Sequence, residues 1–454
     1  MSLEAIARHD RPGPRYTSYP TANEFHAGVN ASALTSALGG LDDGARLSLY
    51  VHVPFCESRC LYCACNVIAT PRRDVAERYV DALLREVDLA AGAIPGQRRA
   101  ADQLHLGGGT PTYLKPADLE RVVRHIEAHF EIAPDAERAI EIDPRVTGAE
   151  HIELLHRHRF RRFSLGVQDF DPGVQAAIGR TQSFELTREV VELCRRQAGS
   201  SINLDLIYGL PGQTPERFSA TLDAVQTLRP ERLAVYGFAF VPWLKKTQTQ
   251  MPLETLPGPG QRLGLLALAR ERLLAAGYVD IGIDHFALPD DELVVAQANG
   301  RLSRNFMGYT VKRAPHMLAF GVSGISEVAG VYAQNVKKLS EYYAAIEAGR
   351  LPVERGILLD DDDRTRGWLI REILCNFAVD GAEFERERGV PFERHFADEL
   401  ARLQPMVDEG YVTWDHRWLR VIGDGRYLAR NVAMVFDGHL SRRGAASGRF
   451  SRTV

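Results

Sequence analysis

Short apolar runs alternate with amphipathic helical patterns between residues 46 and 350. The runs with β-forming character are LSLYVHVPF, QLHLGGGTP, AIEIDP, FSLGVQDF, INLDLIYGLPG and RLAVYGFAFVP. The segments between them repeat apolar residues at helical spacing, as ADLERVVRHIEAHF does. Strands that alternate with helices of this length predict parallel βα units. The predicted fold class is therefore α/β, with about six units forming a partial (β/α)6 barrel.

The two ends of the chain depart from this pattern. Residues 1–45, with RPGPRYTSYPTANEF, predict an irregular N-terminal arm, and residues 46–350 form the barrel domain. From 351 to 454 the acidic start of LLDDDDRTRGWLIREILCNF predicts a capped helix, followed by a helix, a hairpin and another helix. We therefore predict a small, mostly helical, winged-helix-like C-terminal domain.

Composition narrows the class of protein. The net charge of −4 and the pI near 6.4 argue against general nucleic-acid binding. The first residues lack the apolar core of a secretory signal, and we find no apolar run long enough to cross a membrane. We expect a cytoplasmic protein, in which clustered cysteines bind metal or carry redox chemistry.

Four of the six cysteines lie in CESRCLYCAC, at positions 56 to 65. The other two, Cys194 and Cys375, stand alone in helical patterns and are predicted to be buried apolar residues. A structural zinc site commonly uses two separated Cys pairs, and no second pair is present. Three cysteines at this spacing can hold a [4Fe-4S] cluster and leave one iron open, with zinc and a chance cluster as the alternatives.

Polar or glycine-rich sequence follows each predicted strand, in GGGTP, EIDP, GVQDF and DLIYGLPG. The carboxyl ends of the strands of a βα barrel meet on one face, where active sites are built. We therefore expect these segments to surround the cysteine loop. The pair His125 and His129 in HIEAH does not match the H-E-x-x-H metal motif, and we expect it to lie on a solvated helix face.

The cysteine loop resembles the signature of the radical S-adenosylmethionine (SAM) enzymes. The longer run YVHVPFCESRCLYCACN resembles the oxygen-independent coproporphyrinogen III oxidases, as do RYTSYPTA, LHLGGGTPTYL, NLDLIYGLP, RNFMGYT and GVSGIS along essentially the whole chain. The resemblance implies that two propionates of coproporphyrinogen III become the vinyl groups of protoporphyrinogen IX, through a 5′-deoxyadenosyl radical formed from SAM at a [4Fe-4S] cluster. The alternatives are a haem chaperone and a haem-modifying radical SAM protein.

The resemblance also implies roles for individual residues. The metal ligands would be Cys56, Cys60 and Cys63, and the catalytic residues Cys65 and Tyr50. The residues that would bind two SAM molecules are Tyr50, Tyr62, Gly108, Gly109, Thr110, Glu141, Gln168, Arg180, Asp205, Ala239 and Ile325. The candidates for substrate carboxylates are Arg11, Arg15, Tyr16, Tyr19 and Arg304. A reduced flavodoxin-type or ferredoxin-type electron donor and a monomeric state are also implied.

Overall fold

The computed structural model describes residues 6, 8–96, 99–443 and 450–453, so residues 1–5, 7, 97–98, 444–449 and 454 lie outside the described part. Its strands, in chain order, are β1 Arg46–Val53, β2 Phe55–Cys56, β3 Ile68–Ala69, β4 Ala100–Gly108, β5 Glu131–Ile142, β6 Arg162–Gln168, β7 Ser201–Tyr208, β8 Arg232–Gly237, β9 Val279–Gly282, β10 His285–Ala287, β11 Ser303–Asn305, β12 Gly308–Thr310, β13 His316–Phe320, β14 Ile325–Val328, β15 Val331–Asn335, β16 Val353–Leu358, β17 Ala378–Asp380, β18 Val412–Trp414 and β19 Trp418–Val421.

The α-helices are α1 Ala31–Gly39, α2 Asp74–Ala93, α3 Pro116–His129, α4 Ala149–Arg157, α5 Pro172–Ala177, α6 Phe184–Arg195, α7 Pro215–Leu228, α8 Pro259–Ala275, α9 Glu292–Ala298, α10 Leu339–Glu347, α11 Asp361–Asn376, α12 Gly381–Arg388, α13 Phe392–His395, α14 Ala397–Asp408, α15 Ala429–Val435 and α16 Gly438–Arg443. Within the described residues, none of them combines the length and apolar character that a membrane crossing requires.

One large sheet organises the molecule. Its twelve strands follow the order β16-β15-β14-β13-β1-β4-β5-β6-β7-β8-β10-β9. The strands from β13 to β8 pair in parallel, and the pairs outside them are antiparallel. The edge strands β16 and β9 do not pair with each other in the described residues, so the barrel is open. Six βα units, from β1 to α8, match the predicted partial (β/α)6 barrel, and β13 adds a seventh parallel strand beside β1.

The segment before the barrel is more regular than the sequence predicts. Helix α1 begins after Asn30, whose side chain accepts hydrogen bonds from Ser32 N and Ala33 N. Its apolar residues Leu34, Ala37 and Leu38 are buried in the main core. The prediction of a wholly irregular arm is therefore wrong, because three apolar positions at helical spacing are sufficient to dock a short capped helix.

The C-terminal part combines helices with a three-stranded sheet of order β17-β19-β18. As predicted, an acidic cap starts its first helix: the Asp360 side chain accepts from Asp363 N. Cys194 and Cys375 are both buried, as expected for apolar core residues.

Candidate active site

The cysteine-rich loop lies at the carboxyl end of β1. Strands β2 and β3 pair in parallel and bring the two ends of the loop together. Inside the loop, Cys63 N donates a hydrogen bond to Cys60 O over 3.2 Å. Cys60 is buried, Cys56 and Cys63 are half-buried, and Cys65 is exposed. The loop thus presents four thiols at the face where the strand ends meet.

The separation of these thiols bears on the kind of metal they can hold. Among the residues that the structure describes, no three of the thiols lie within 4.8 Å of one another. Thiolates around a single zinc ion would lie about 3.8 Å apart, since each Zn–S bond is about 2.3 Å long. The three thiols are therefore not gathered around one zinc-sized position in this structure.

A hydrogen bond between the Cys63 and Cys65 thiols shifts their pKa values in opposite directions. It lowers the pKa of Cys63 to about 6, with help from the positive charges of Lys245 and Arg59. The same hydrogen bond raises the pKa of Cys65 well above its usual range. The hydrogen bond thus favours the thiolate of Cys63, the form that binds metals, over the thiolate of Cys65.

The glycine-rich end of β4 lies directly against the cysteine loop. A Cβ on Gly109 would lie 2.8 Å from backbone atoms of Pro54, and Gly108 has a φ of +120°. Glycine is suited to both positions, because it adopts the positive φ of Gly108 readily and has no Cβ to meet the backbone beside Gly109. The next residue, Thr110, places its Oγ1 3.5 Å from Cys56 Sγ. At Gly108 and Gly109 the turn therefore presents only backbone to the loop, and Thr110 adds a hydroxyl beside Cys56.

Glu141 lies at the end of β5, beside this turn. Its carboxylate accepts hydrogen bonds from Gly108 N over 3.0 Å and from His105 Nε2 over 3.4 Å. Burial works to raise the pKa of Glu141, but these bonds outweigh it and leave the pKa below its ordinary value. Tyr50 lies next to His105, and its hydroxyl is 3.1 Å from His52 Nδ1. Glu141 therefore stays ionised in a ring of polar groups.

Two arginines approach the sulfur of Cys60. Arg145 Nη2 and Arg180 Nη1 each lie 3.6 Å from Cys60 Sγ. Asp143 holds both guanidinium groups, accepting from Arg145 over 2.7 Å and from Arg180 over 3.2 Å. Burial works to raise the pKa of Asp143, but the two arginines hold it below its ordinary value. The sequence predicted Arg180 alone; its neighbours lie in EIDPR, a segment expected at this face.

Tyr62 and Ala239 are held together by Gln248, whose Nε2 donates to both of their carbonyl oxygens, over 2.9 and 3.0 Å. Asp205, near the end of β7, has a pKa raised to about 7 by burial and by the negative charge of Glu141. An added positive group would stabilise its ionised form.

A cavity of about 250 Å³ lies among these groups. The predicted site residues that line it are Cys56, Cys60, Tyr62, Cys63, Cys65, Gly108, Gly109, Thr110, Glu141, Gln168, Arg180 and Asp205. Tyr50, Ala239 and Ile325 do not line it. Ile325 packs instead on the cluster of Phe25, Tyr332 and Ile357.

A second cavity, of about 350 Å³, fills the interior of the barrel. Glu141, Ser164, Asp205 and Tyr236 line both cavities, which therefore adjoin. The arginines that line the second one are Arg15, Arg162, Arg232, Arg304 and Arg430. Arg162 and Arg232 pair with Glu137 and Asp291, so Arg15, Arg304 and Arg430 are the arginines left to face a ligand in a cavity that carboxylates also line.

Arg304 and Arg430 both line the interior cavity. Within the described residues, Nε and Nη1 of Arg304 are buried without a hydrogen-bond partner. Burial and the charge of Arg304 lower the pKa of the neighbouring His285 to about 4. Burial also lowers the pKa of Arg430. Sequence reasoning missed Arg430, which stands in no motif and reaches the cavity through long-range packing, and His285, which lies in the segment DHFALPDDELVVAQ but was assigned no role in the site.

The candidates in the N-terminal arm lie in different places. Arg15 lines the interior cavity and donates to Gly237 O over 3.1 Å. The hydroxyls of Tyr16 and Tyr19 hydrogen-bond to the C-terminal helical segment. Arg11 is exposed, and its backbone pairs with the last described residues. The structure therefore brings Arg15 to the interior cavity, whereas Tyr16 and Tyr19 line another cavity, of about 360 Å³, and Arg304 lines both.

This barrel with its cysteine loop is that of a radical SAM enzyme, and the model of the Radical SAM superfamily matches residues 50–225. The residues present fit the cofactors of that class, a [4Fe-4S] cluster and SAM: three thiols of one loop line a cavity together with the glycine turn, where a Cβ on Gly109 would meet backbone atoms.

Full-length relatives specify the family. The chain is 41% identical to the oxygen-independent coproporphyrinogen III oxidase of Pseudomonas aeruginosa, covering 99% of this chain and 98% of the relative. It is also 41% identical to that of Escherichia coli strain K12, covering 100% and 98%. A solved coproporphyrinogen III oxidase from Escherichia coli, described as a radical SAM enzyme, superposes with a TM-score of 0.90 over 94% of this chain and 98% of that one. The chain belongs to the oxygen-independent coproporphyrinogen III oxidases.

Proposed function

We propose that this protein converts coproporphyrinogen III to protoporphyrinogen IX without oxygen, in haem and porphyrin biosynthesis. Each of two propionates loses CO2, one hydrogen atom and one electron, and so becomes a vinyl group. The observation that carries the proposal is the junction of the cysteine-loop cavity with an arginine-lined cavity large enough to receive part of a polycarboxylate. The full-length similarity to coproporphyrinogen oxidases supports it.

Cys56, Cys60 and Cys63 would hold the cluster, and Gly108, Gly109 and Glu141 would hold SAM beside it. Bound there, the two groups supply one-electron chemistry that removes a hydrogen atom from carbon. The protein's own part is electrostatic. The guanidinium groups 3.6 Å from Cys60 Sγ oppose the negative charge of ligand thiolates, and Asp143 fixes their position.

A second SAM would occupy the part of the cavity lined by Tyr62, Thr110, Gln168, Arg180 and Asp205. Arg180 suits a carboxylate and Asp205 suits an ammonium group, so their charges match the two ends of an amino acid. Saturation binding of labelled SAM to cluster-loaded protein should reach two equivalents per chain. Saturation at one equivalent would contradict this part of the proposal.

The interior cavity would receive the substrate, whose four carboxylates need positive partners. Arg15, Arg304 and Arg430 line it, and the unpartnered nitrogens of Arg304 are suited to a carboxylate. Cys65 lines the cysteine-loop cavity, and Tyr50 contacts His52 and His105, the latter a hydrogen-bond partner of Glu141. We assign Cys65 and Tyr50 to hydrogen transfer and charge stabilisation near the reacting propionate.

The surface beside the cysteine loop suits an acidic electron donor of the flavodoxin or ferredoxin class. Lys245 Nζ donates to the carbonyl oxygen of Cys65 over 2.8 Å, and Lys246 and Arg59 are exposed nearby. Trp243 and Leu244 expose 55% and 68% of their surface next to them. We further propose a monomer, testable by sedimentation, in the cytoplasm, where the loop thiols stay reduced.

Anaerobic incubation of cluster-loaded protein with coproporphyrinogen III, SAM and a reductant tests the proposal. We expect two CO2 released per protoporphyrinogen formed, and no CO2 from the Cys60→Ser variant, which lacks a cluster ligand. Tight haem binding without decarboxylation would support a chaperone instead, and a modified haem as product would support the haem-modifying alternative.

A further inference from the structure

We propose that Asp88, His125 and His129 form a binding site for one divalent cation of the zinc class on the outer surface of the barrel. Asp88 lies near the end of α2, and the two histidines lie four residues apart near the end of α3. Their ligand atoms all lie within 4.8 Å of one another. This site is separate from the cysteine loop, which precedes α2 at its opposite end.

The distances suit a single small cation. His125 Nε2 lies 2.8 Å from Asp88 Oδ1, and His129 Nε2 lies 3.1 Å from the same oxygen. Nitrogen and oxygen ligands of tetrahedral zinc lie about 3.3 Å apart, since each bond is about 2.0 to 2.1 Å long. Both Nε2 atoms therefore lie against Asp88 Oδ1, and the centroids of the two rings are 4.4 Å apart. Small side-chain rotations would complete the ligand set and leave the remaining positions to water.

The tautomer of His129 supplies an independent argument. Its Nδ1 lies 2.9 Å from the carbonyl oxygen of His125, which only accepts hydrogen bonds, so Nδ1 carries the hydrogen. In the neutral ring Nε2 then presents a lone pair to the Asp88 carboxylate. Two lone pairs that face each other at 3.1 Å repel, so this contact requires a positive charge between them, which is a proton or a metal ion.

The same hydrogen bond is typical of metal-binding histidines, which donate their second nitrogen to a carbonyl or carboxylate and so fix the ring. His125 Nε2 also lies 3.1 Å from Leu84 O, so a metal ion would replace the proton that this nitrogen shares with Leu84 and Asp88. The bound ion would link α2, which follows the cysteine loop, to α3, which follows the glycine turn.

The test uses cluster-loaded protein, because empty loop thiols would themselves bind zinc. Zinc titration against a chromophoric chelator should reveal one zinc ion per chain. Asp88→Asn and His129→Gln should each weaken this binding about 100-fold or more, since loss of outer-shell partners alone costs up to about that much. The control His416→Gln removes an exposed histidine that pairs with Glu393, and it should leave zinc binding unchanged.

Thermal unfolding provides the second readout. Zinc should raise the unfolding midpoint of the wild type and of His416→Gln, because a ligand bound only by the folded state stabilises it. It should not raise the midpoint of Asp88→Asn or His129→Gln. Failure of the wild type to retain zinc against the chelator, or equal retention by Asp88→Asn, would overturn the proposal and leave a proton as the positive charge.

Discussion

Replacement of Glu86 by glutamine should remove a specific pH dependence of stability. Glu86 on α2 is 2% exposed. Its carboxylate accepts hydrogen bonds from Tyr342 Oη over 2.6 Å, Gly321 N over 2.7 Å and Asn335 Nδ2 over 2.6 Å. These partners flank β14, where Ile325 lies. Glu86 therefore ties a helix that follows the cysteine loop to the strands beside β1.

Burial raises the pKa of Glu86 to about 7, although the three hydrogen bonds lower it in part. In the unfolded chain the pKa of a glutamate is about 4.3. Between these values the unfolded carboxyl is ionised while the folded one keeps its proton, so stability falls as the pH rises towards 7. From about pH 5 to about pH 8 this one group should cost roughly 2 to 3 kcal/mol.

Urea denaturation of the wild type and of Glu86→Gln at both pH values isolates the effect of Glu86 on the free energy of unfolding. The variant should be less stable overall, because its amide nitrogen faces a donor. It should also lose roughly 2 to 3 kcal/mol of pH dependence relative to the wild type. The surface control Glu153→Gln should keep that dependence. An unchanged pH dependence in Glu86→Gln would refute the reasoning.

Four further changes address the site itself. Cys65→Ser should retain the cluster by iron analysis but lose turnover at least about 100-fold, and loss of iron would make Cys65 a ligand. The second SAM should bind more tightly at pH 8 than at pH 6, because Asp205 ionises with a pKa of about 7; Asp205→Asn should abolish this difference, and its persistence would exclude Asp205. Arg304→Gln should raise KM for coproporphyrinogen III about tenfold with little change in kcat, and an unaltered KM would remove Arg304 from the substrate site. Lys246→Glu should raise KM for an acidic electron carrier while dithionite-driven turnover stays unchanged; equal loss with both reductants would contradict the docking surface.

The regular parts of the fold follow from local sequence signals. Thr214 and Pro215 mark the start of α7, and the structure begins that helix at Pro215 with Thr214 as its cap. Parallel pairing follows from the alternation of strands with helices, and it brings GGGTP, EIDP and the cysteine loop to one face. These signals are local in the chain, so they can be read without knowledge of the packing.

The remaining features depend on contacts between distant residues. Arg430 reaches the interior cavity from the C-terminal domain, and Asp88 meets the two histidines of α3 from another helix. No spacing in the sequence encodes either contact. The different acidities of Cys63 and Cys65 also depend on the folded loop, because they result from the hydrogen bond between the two thiols and the charge of Lys245.

The central claim is that this protein removes a hydrogen atom from each reacting propionate before CO2 leaves. Anaerobic turnover of coproporphyrinogen III carrying deuterium at the β-carbons of its propionates tests it most directly. We expect one deuterium atom to appear in 5′-deoxyadenosine for each CO2 released, and two CO2 for each protoporphyrinogen. Release of CO2 with unlabelled 5′-deoxyadenosine, or label transfer without any vinyl product, would contradict the account.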